Sequence, residues 1–118
     1  MKTIITKRVY EVADNKDGYR ILVDRIWPRG ISKEHAAVAE WLKEIGPTTA
    51  LRKWFNHEPE KFPEFKSRYK EELLKKNELL NHIISITSKQ KVCLVYSAKD
   101  EEHNQAIVLK EVLDHYHP

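Results

Sequence analysis

The sequence contains few of the residues that several common kinds of site require. Its single cysteine, Cys93, excludes an internal disulfide bond and a thiolate zinc framework. Its three glycines, Gly18, Gly30 and Gly46, form no glycine-rich phosphate loop, so the usual mononucleotide and dinucleotide fingerprints are absent. The six histidines include no His-x-x-x-His pair. We therefore expect neither a metal nor a cofactor.

Long apolar segments and a strong excess of one charge are also missing. No segment approaches the roughly 18 consecutive apolar residues of a membrane span, and residues 1–8 lack the apolar block of a signal peptide. We therefore expect a cytoplasmic protein without a membrane partner. The 21 basic and 18 acidic residues give a net charge of +3, which suits an anionic ligand but does not predict nucleic acid as a partner. The sequence leaves the oligomeric state open.

The chain is long enough for one hydrophobic core, and we expect a single domain over residues 1–118. Residues 4–5 are β-branched and predict a first strand. Residues 19–24 follow the turn signal Asp17-Gly18 and predict a second strand. The continuous apolar run 92–96 is typical of a strand that is buried on both faces.

Apolar residues recur at helical spacing between the second and third predicted strands. We predict one helix over 33–45, which Ser32 caps and which ends at Gly46-Pro47, with Trp41 in the core. A short helix capped by Thr48 or Thr49 follows, and it carries Trp54 into the core.

The remaining chain predicts further helices. One runs over about 64–76, and the apolar face at 79–84 either continues it after a kink or belongs to a separate helix. Asp100 is predicted to cap the last helix, with residues 101–102 in its first turn. The order of elements predicts an α/β fold, in which a small, mostly parallel sheet of about three strands is covered by four to five helices.

Charged segments follow the second and third predicted strands. A helical crossover makes these two strands parallel, so both segments would lie at one edge of the sheet, where open α/β sheets bind ligands. Arg25, Arg29 and Lys99, together with amides at the start of the last helix, suit a phosphate or a carboxylate. Alternatively, Arg25 pairs with Asp24 and the other cations are solvated. The acidic residues 100–102 oppose an anion at the same helix end.

Other residues near this edge suggest chemistry or stacking. Asp24 and His103 can form an acid–base pair in which Asp24 orients the imidazole. Alternatively, Asp24 forms a structural ion pair with Arg25 or Arg29, and His103 is a surface residue. Ser97 with Lys99 resembles a nucleophile and its base, although a turn serine is the simpler interpretation. Trp27, in a turn, is a candidate for stacking on a planar ligand.

Three blocks of the sequence carry a resemblance to a known family: Asp17-Gly18-Tyr19-Arg20-Ile21-Leu22-Val23-Asp24-Arg25-Ile26-Trp27-Pro28-Arg29-Gly30, Leu51-Arg52-Lys53-Trp54-Phe55-Asn56-His57, and Tyr96-Ser97-Ala98-Lys99-Asp100-Glu101-Glu102-His103-Asn104-Gln105-Ala106. They resemble the YeaO-like branch of the family called domain of unknown function 488. The resemblance implies a compact α/β domain without a settled activity.

The resemblance also marks individual positions. The family's pattern falls on Asp24, Arg25, Trp27, Arg29, Trp54, His57, Tyr96, Lys99, Asp100, His103 and Asn104. Longer relatives have Cys-His-Arg where this chain has Asn104-Gln105-Ala106, so a candidate thiol nucleophile is missing here. Some members carry a transcriptional-regulator label, but this chain has no helix-turn-helix pattern with a basic recognition helix.

Two functions are consistent with these patterns. In the first, the two strand exits form a pocket for an anionic small molecule, such as a nucleotide or a phosphate-bearing metabolite. Asp24 and His103 would then be the catalytic candidates, and the ligand would contact Arg25, Trp27, Arg29, Tyr96, Lys99 and Asn104. In the second, the protein is a non-enzymatic module that holds a protein or nucleic acid through Trp27 and the turn from Trp54 to His57. Whether the protein is an enzyme stays open.

Overall fold

The computed structural model describes residues 3–117 of the chain. Within them the strands are β1 (Ile4–Arg8), β2 (Tyr19–Leu22), β3 (Glu40–Trp41) and β4 (Val92–Tyr96). The α helices are α1 (Lys33–Ala36), α2 (Thr49–Phe55), α3 (Phe62–Leu73), α4 (Asn77–Thr87) and α5 (Gln105–Asp114). None of the described helices is both long enough and apolar enough to cross a membrane. The same residues contain no cluster of three or more His, Cys, Asp or Glu side chains that could hold a metal ion.

The four strands form one sheet in the order β1-β4-β2-β3, and every neighbouring pair is parallel. β4 lies between β1 and β2, with Thr6 and Ile21 both beside Leu94. All five residues of β4 are buried, as its continuous apolar run predicts. The predicted α/β fold is therefore confirmed, and the two-residue β3 adds a strand at the edge.

The two faces of the sheet are covered unequally. Ile21, Leu94 and Tyr96 belong to a large apolar cluster with side chains from α2, α3, α4 and α5. On the opposite face, Leu22 and Val95 belong to a smaller cluster with residues of the segment between β2 and β3. Because successive side chains of a strand point to opposite faces, β1, β2 and β4 each contribute to both clusters.

The prediction of one helix over 33–45 is wrong. Ser32 caps a helix as expected, but α1 ends after Ala36 because Ala37 adopts a left-handed conformation with φ 49°. The following chain then joins the sheet, where the N–H of Ala39 donates to the carbonyl of Arg20 at 2.8 Å. The apolar spacing over 38–45 reflects a strand and a short 3₁₀ turn rather than a helix.

The tryptophans predicted to lie in the core are less buried than expected. Trp41 is 38% exposed, and its indole N–H donates to the carbonyl of Asp24 at 2.7 Å. Trp54 is half-buried, and the cations of Lys61 and Arg68 lie over its ring. Trp54 therefore packs on the large apolar cluster from outside, whereas the Trp41 ring contacts Trp27 and the cation of Lys43.

Two further boundaries differ in detail. The helical region after residue 61 consists of two helices, α3 and α4, so the alternative of a separate second helix is correct. The last helix begins later than predicted, because Asn104 and not Asp100 is its N-cap and accepts the N–H of Ile107 at 3.1 Å. Asp100 instead accepts the N–H groups of Glu102 and His103 in the preceding turn. Residues 101–102 therefore precede the helix.

Candidate anion-binding cavity

A cavity of about 940 Å³ lies at the carboxyl edge of the sheet. Residues 24–29 after β2 and several residues of 97–105 after β4 line two of its walls. The lining also includes Arg8 and Tyr10 at the end of β1 and after it, Pro47, several residues of 49–57 from α2 and the turn behind it, and Phe65 of α3. Since β1, β2 and β4 are parallel, their exits converge at this edge.

The lining of this cavity is strongly biased toward positive charge. Among the described residues its charged members are one acidic residue, Asp24, and six cations: Arg8, Arg25, Arg29, Arg52, Lys53 and Lys99. The whole chain carries 21 basic and 18 acidic residues, so composition alone does not produce this ratio. The distribution creates a local field that attracts anions.

Two of the cations shape the wall of the cavity. The guanidinium of Arg25 donates to the carbonyls of Pro47 and Gly46, at 2.9 Å and 2.8 Å. A Cβ at Gly46 would lie 3.0 Å from the backbone nitrogen of Arg25, so the close approach of these chains favours glycine there. Arg8 donates to the carbonyl of Ala98 at 2.9 Å. These arginines tie neighbouring loops together.

The other four cations have free side chains. Those of Arg29, Arg52, Lys53 and Lys99 make no hydrogen bond and no ion pair with any residue of the described range 3–117. Arg52 is half-buried, whereas the remaining three are exposed. Because their N–H donors are not used by residues 3–117, these side chains are available to an anion.

Asp24 lies on the floor of the cavity and is only 7% exposed. It accepts a hydrogen bond from the N–H of Ser97 at 3.1 Å, a second from the Ser97 hydroxyl, and a third from the side-chain amide of Gln105. Burial raises the pKa of the Asp24 carboxyl, although these hydrogen bonds and the charge of Arg52 act in the opposite direction. Neither Arg25 nor Arg29 forms an ion pair with it within the described chain.

His103 also lines the cavity, but its orienting partner is not the predicted one. Its Nδ1 lies 2.9 Å from a carboxylate oxygen of Asp100, and its ring meets the edge of Phe62 at a centroid distance of 5.2 Å. The expectation that Asp24 orients His103 is therefore wrong. The structure instead forms two separate polar groups, Asp24 with Ser97 and His103 with Asp100.

A family model described as the inactive DUF488-N3 subclade matches residues 3–117. The chain belongs to this family. It is 47% identical to the uncharacterised protein YeaO of Escherichia coli strain K12 over 107 residues, which cover 91% of this chain and 93% of YeaO. It is 42% identical to the uncharacterised proteins Mb3100c of Mycobacterium bovis and Rv3073c of Mycobacterium tuberculosis strain H37Rv, with 91% of this chain and 90% of each relative covered. No solved structure matches. The predicted YeaO-like relationship is confirmed.

The DUF488-N3 fold brings most of the sequence-predicted site residues together. Asp24, Arg25, Trp27, Arg29, Lys99, His103 and Asn104 all line the cavity. Tyr96 does not, because its side chain is 2% exposed and packs in the large apolar cluster under α5. Asn104 is buried, and it uses its side chain to cap α5 and to donate to the carbonyl of Asp100 at 2.9 Å.

Trp27 lies at the rim of the cavity and is half-buried. Its indole N–H donates to the carbonyl of Ile31 at 2.9 Å, and its ring meets the Trp41 ring edge-on at 5.5 Å. These contacts fix the ring orientation, so the cavity presents a rigid aromatic side chain. Trp54 is not among the residues of the described chain that line the cavity.

Sequence reasoning did not predict that α2 contributes to this site, although the family resemblance marked His57 and the alternative function used the turn from Trp54 to His57. Arg52 and Lys53 line the cavity from α2, and His57 lines it from a turn in which both Asn56 and His57 have positive φ angles, 48° and 56°. The second block of the family resemblance covers these positions, and it was the only signal that could have indicated them. Gln105 was also missed, because its contact with Asp24 joins residues 81 positions apart.

Proposed function

We propose that this protein binds an anionic small molecule in the cavity at the carboxyl edge of its sheet. The observation that carries the proposal is the ratio of six cations to one acid among the charged lining residues, with four of the cations unpaired within the described chain. Arginine and lysine side chains with free donors are typical ligands of phosphate and carboxylate groups. The volume of about 940 Å³ is sufficient for a metabolite rather than a single inorganic ion.

Two features favour a protein that binds its ligand without catalysing a reaction. Asp24 and His103 are held by different partners, Ser97 with Gln105 and Asp100 respectively, so they form no direct acid–base pair. The family is described as inactive. In this proposal the protein acts as a sensor or carrier of its ligand, and the cavity is a binding site that retains the position of an active site.

The proposal is tested by calorimetric titration with ribose 5-phosphate and with inorganic pyrophosphate. The pocket variant Lys53→Met/Lys99→Met removes two exposed, unpaired cations of the lining. The matched control Lys75→Met/Lys89→Met removes two exposed lysines outside the lining, with the same change of net charge. We expect the pocket variant to bind roughly tenfold more weakly and the control to bind like the wild type.

Two results would contradict the proposal. Equal weakening in both double variants would indicate that only net charge matters, and not the cavity. Failure of the wild-type protein to bind any phosphorylated compound of a broad panel at millimolar concentration would exclude anion binding as its role.

A further inference from the structure

The floor of the cavity differs chemically from its rim. The rim carries unpaired cations, whereas the floor presents the carboxylate of Asp24, which is 7% exposed. Its three donors within the described chain are neutral: the Ser97 N–H, the Ser97 hydroxyl and the Gln105 amide. The adjacent Arg25 is directed away, toward the carbonyls of Gly46 and Pro47. A site for a simple anion would not require a buried carboxylate at its base.

A buried carboxylate without a bonded cation is costly, and proteins commonly retain such a group where it serves a ligand. A carboxylate has about four acceptor positions, and residues of the described chain fill three of those of Asp24. The remaining capacity faces a cavity that Asp24 itself lines. Asp24 is therefore suited to accept a hydrogen bond from an N–H group of the ligand, while it repels a second anionic group.

Aromatic side chains indicate the shape of that part of the ligand. Trp27 and Tyr10 line the rim with partly exposed rings, whereas Phe55 and Phe65, which also line the cavity, are 6% and 1% exposed and stack on each other. Flat apolar surfaces of this kind favour a planar ring, because ring stacking adds to apolar burial. The cavity volume of about 940 Å³ lies near the upper end of the range for small-molecule sites. A ring with a sugar and a phosphate fits this size.

We infer that the occupant is a nucleotide whose base donates one N–H group to Asp24 while its phosphate lies among the rim cations. This inference rests on the proposed function and specifies its ligand class. Guanine presents a ring N–H beside an amino group, and hypoxanthine presents a ring N–H alone, so either base can donate to the one acceptor position that Asp24 keeps open. Adenine and cytosine present an amino group beside a ring nitrogen acceptor, and uracil presents an N–H between two carbonyls, so each places acceptors against the carboxylate.

The first test changes only the ligand, so it does not depend on whether a variant folds. Guanosine 5′-monophosphate, inosine 5′-monophosphate, adenosine 5′-monophosphate and ribose 5-phosphate are titrated into the wild-type protein at pH 7. We expect guanosine monophosphate and inosine monophosphate to bind with similar affinity, because Asp24 keeps one acceptor position open, and each roughly tenfold more tightly than the other two compounds. Equal affinities for all four would overturn the inference and leave the proposed function intact.

The second test changes the floor of the cavity. Asp24→Asn should abolish the preference for guanosine monophosphate, whereas ribose 5-phosphate should bind at least as tightly as before because the variant loses a repelling charge. The control Asp17→Asn also removes a buried carboxylate, but Asp17 pairs with Arg20 and Lys7 and does not line the cavity. It should keep the wild-type preference. A guanine preference that survives in Asp24→Asn would overturn the role of Asp24.

Two further outcomes separate the remaining alternatives. If no phosphorylated compound binds the wild-type protein, the proposed function fails and the inference fails with it. A 5′-phosphorylated trinucleotide that begins with guanosine is titrated in parallel, and we expect it to bind no more tightly than the mononucleotide. Markedly tighter binding would overturn the assignment to a free nucleotide, because it would indicate the end of a nucleic-acid strand.

Discussion

The carboxylate of Asp24 accepts hydrogen bonds from both the backbone N–H and the hydroxyl of Ser97, although 73 positions of sequence separate the two residues. Asp24 follows β2 and Ser97 follows β4, and these parallel strands are neighbours in the sheet. The pair therefore fixes the two strand exits against each other. It also forms the floor of the cavity to which both exits contribute.

We expect Asp24→Asn to be tolerated or to stabilise the fold, by about 1 kcal/mol, since it removes a buried charge and keeps an acceptor for Ser97. Because burial raises the pKa of Asp24, the folded state binds a proton more tightly than the unfolded state does. The advantage of asparagine should therefore be greatest at neutral pH and shrink as the pH falls through the folded pKa. Urea denaturation of wild type and variant between pH 7 and pH 4 measures this difference in the free energy of unfolding. A clearly lower free energy of unfolding for the variant at pH 7 would contradict the prediction.

We expect Asp17→Asn, in contrast, to lower the free energy of unfolding. Burial by itself would raise the pKa of Asp17, but hydrogen bonds from Asp14, Lys7 and Arg20 outweigh it and hold the pKa below the ordinary 3.8. The ionised carboxylate thus contributes stability above pH 3.8, and the contribution is lost as the pH falls through the lowered folded value. We expect a loss of about 3 kcal/mol at pH 7, since a buried ion pair is broken. Equal stability of wild type and variant at pH 7 would refute the assignment of a stabilising ion pair to Asp17.

His57 has a φ angle of 56°, a conformation that costs most L-residues about 1 kcal/mol. His57→Gly should therefore raise the free energy of unfolding by about 1 kcal/mol. The matched control is Ala37→Gly, at φ 49° and outside the cavity lining, and it should give a similar gain. If His57 contacts the ligand, only His57→Gly should also weaken binding of ribose 5-phosphate. Thermal unfolding and calorimetry distinguish these effects.

Cys93 is fully buried in β4, and burial raises the pKa of its thiol to about 11. We expect no reaction with a disulfide reagent at pH 8 in the folded protein, since the thiolate is both scarce and shielded. Labelling should become complete in denaturant. In native buffer its rate should equal the rate of unfolding, and fast stoichiometric labelling there would show that the strand is accessible.

The sequence predicted the parts of the fold that are encoded by short-range patterns. The apolar run 92–96 and the segment after Asp17-Gly18 identified two neighbouring strands, and a helical crossover between them correctly implied that they are parallel. This was enough to place Asp24, Arg29 and Lys99 at one edge, where they line one cavity.

The remaining features depend on contacts that spacing does not encode. Residues 38–45 have a helical apolar period, but pairing with β2 and the left-handed Ala37 override it. Asp100 and Asn104 are both good N-cap residues, and only the path of the loop after β4 decides between them. The helical period of α2 shows which face is apolar, but it does not indicate that Arg52 and Lys53 face the cavity.

The capping role of Asn104 restricts how this protein could change. Its side-chain oxygen starts α5, and its neighbour Gln105 donates to Asp24. An Asn104→Cys substitution would introduce a thiol but remove this N-cap, which would lower the stability of the helix by about 1 kcal/mol. A matching change at Gln105 would also remove a donor from a buried carboxylate. A change toward the Cys-His-Arg pattern of longer relatives would therefore pass through less stable intermediates.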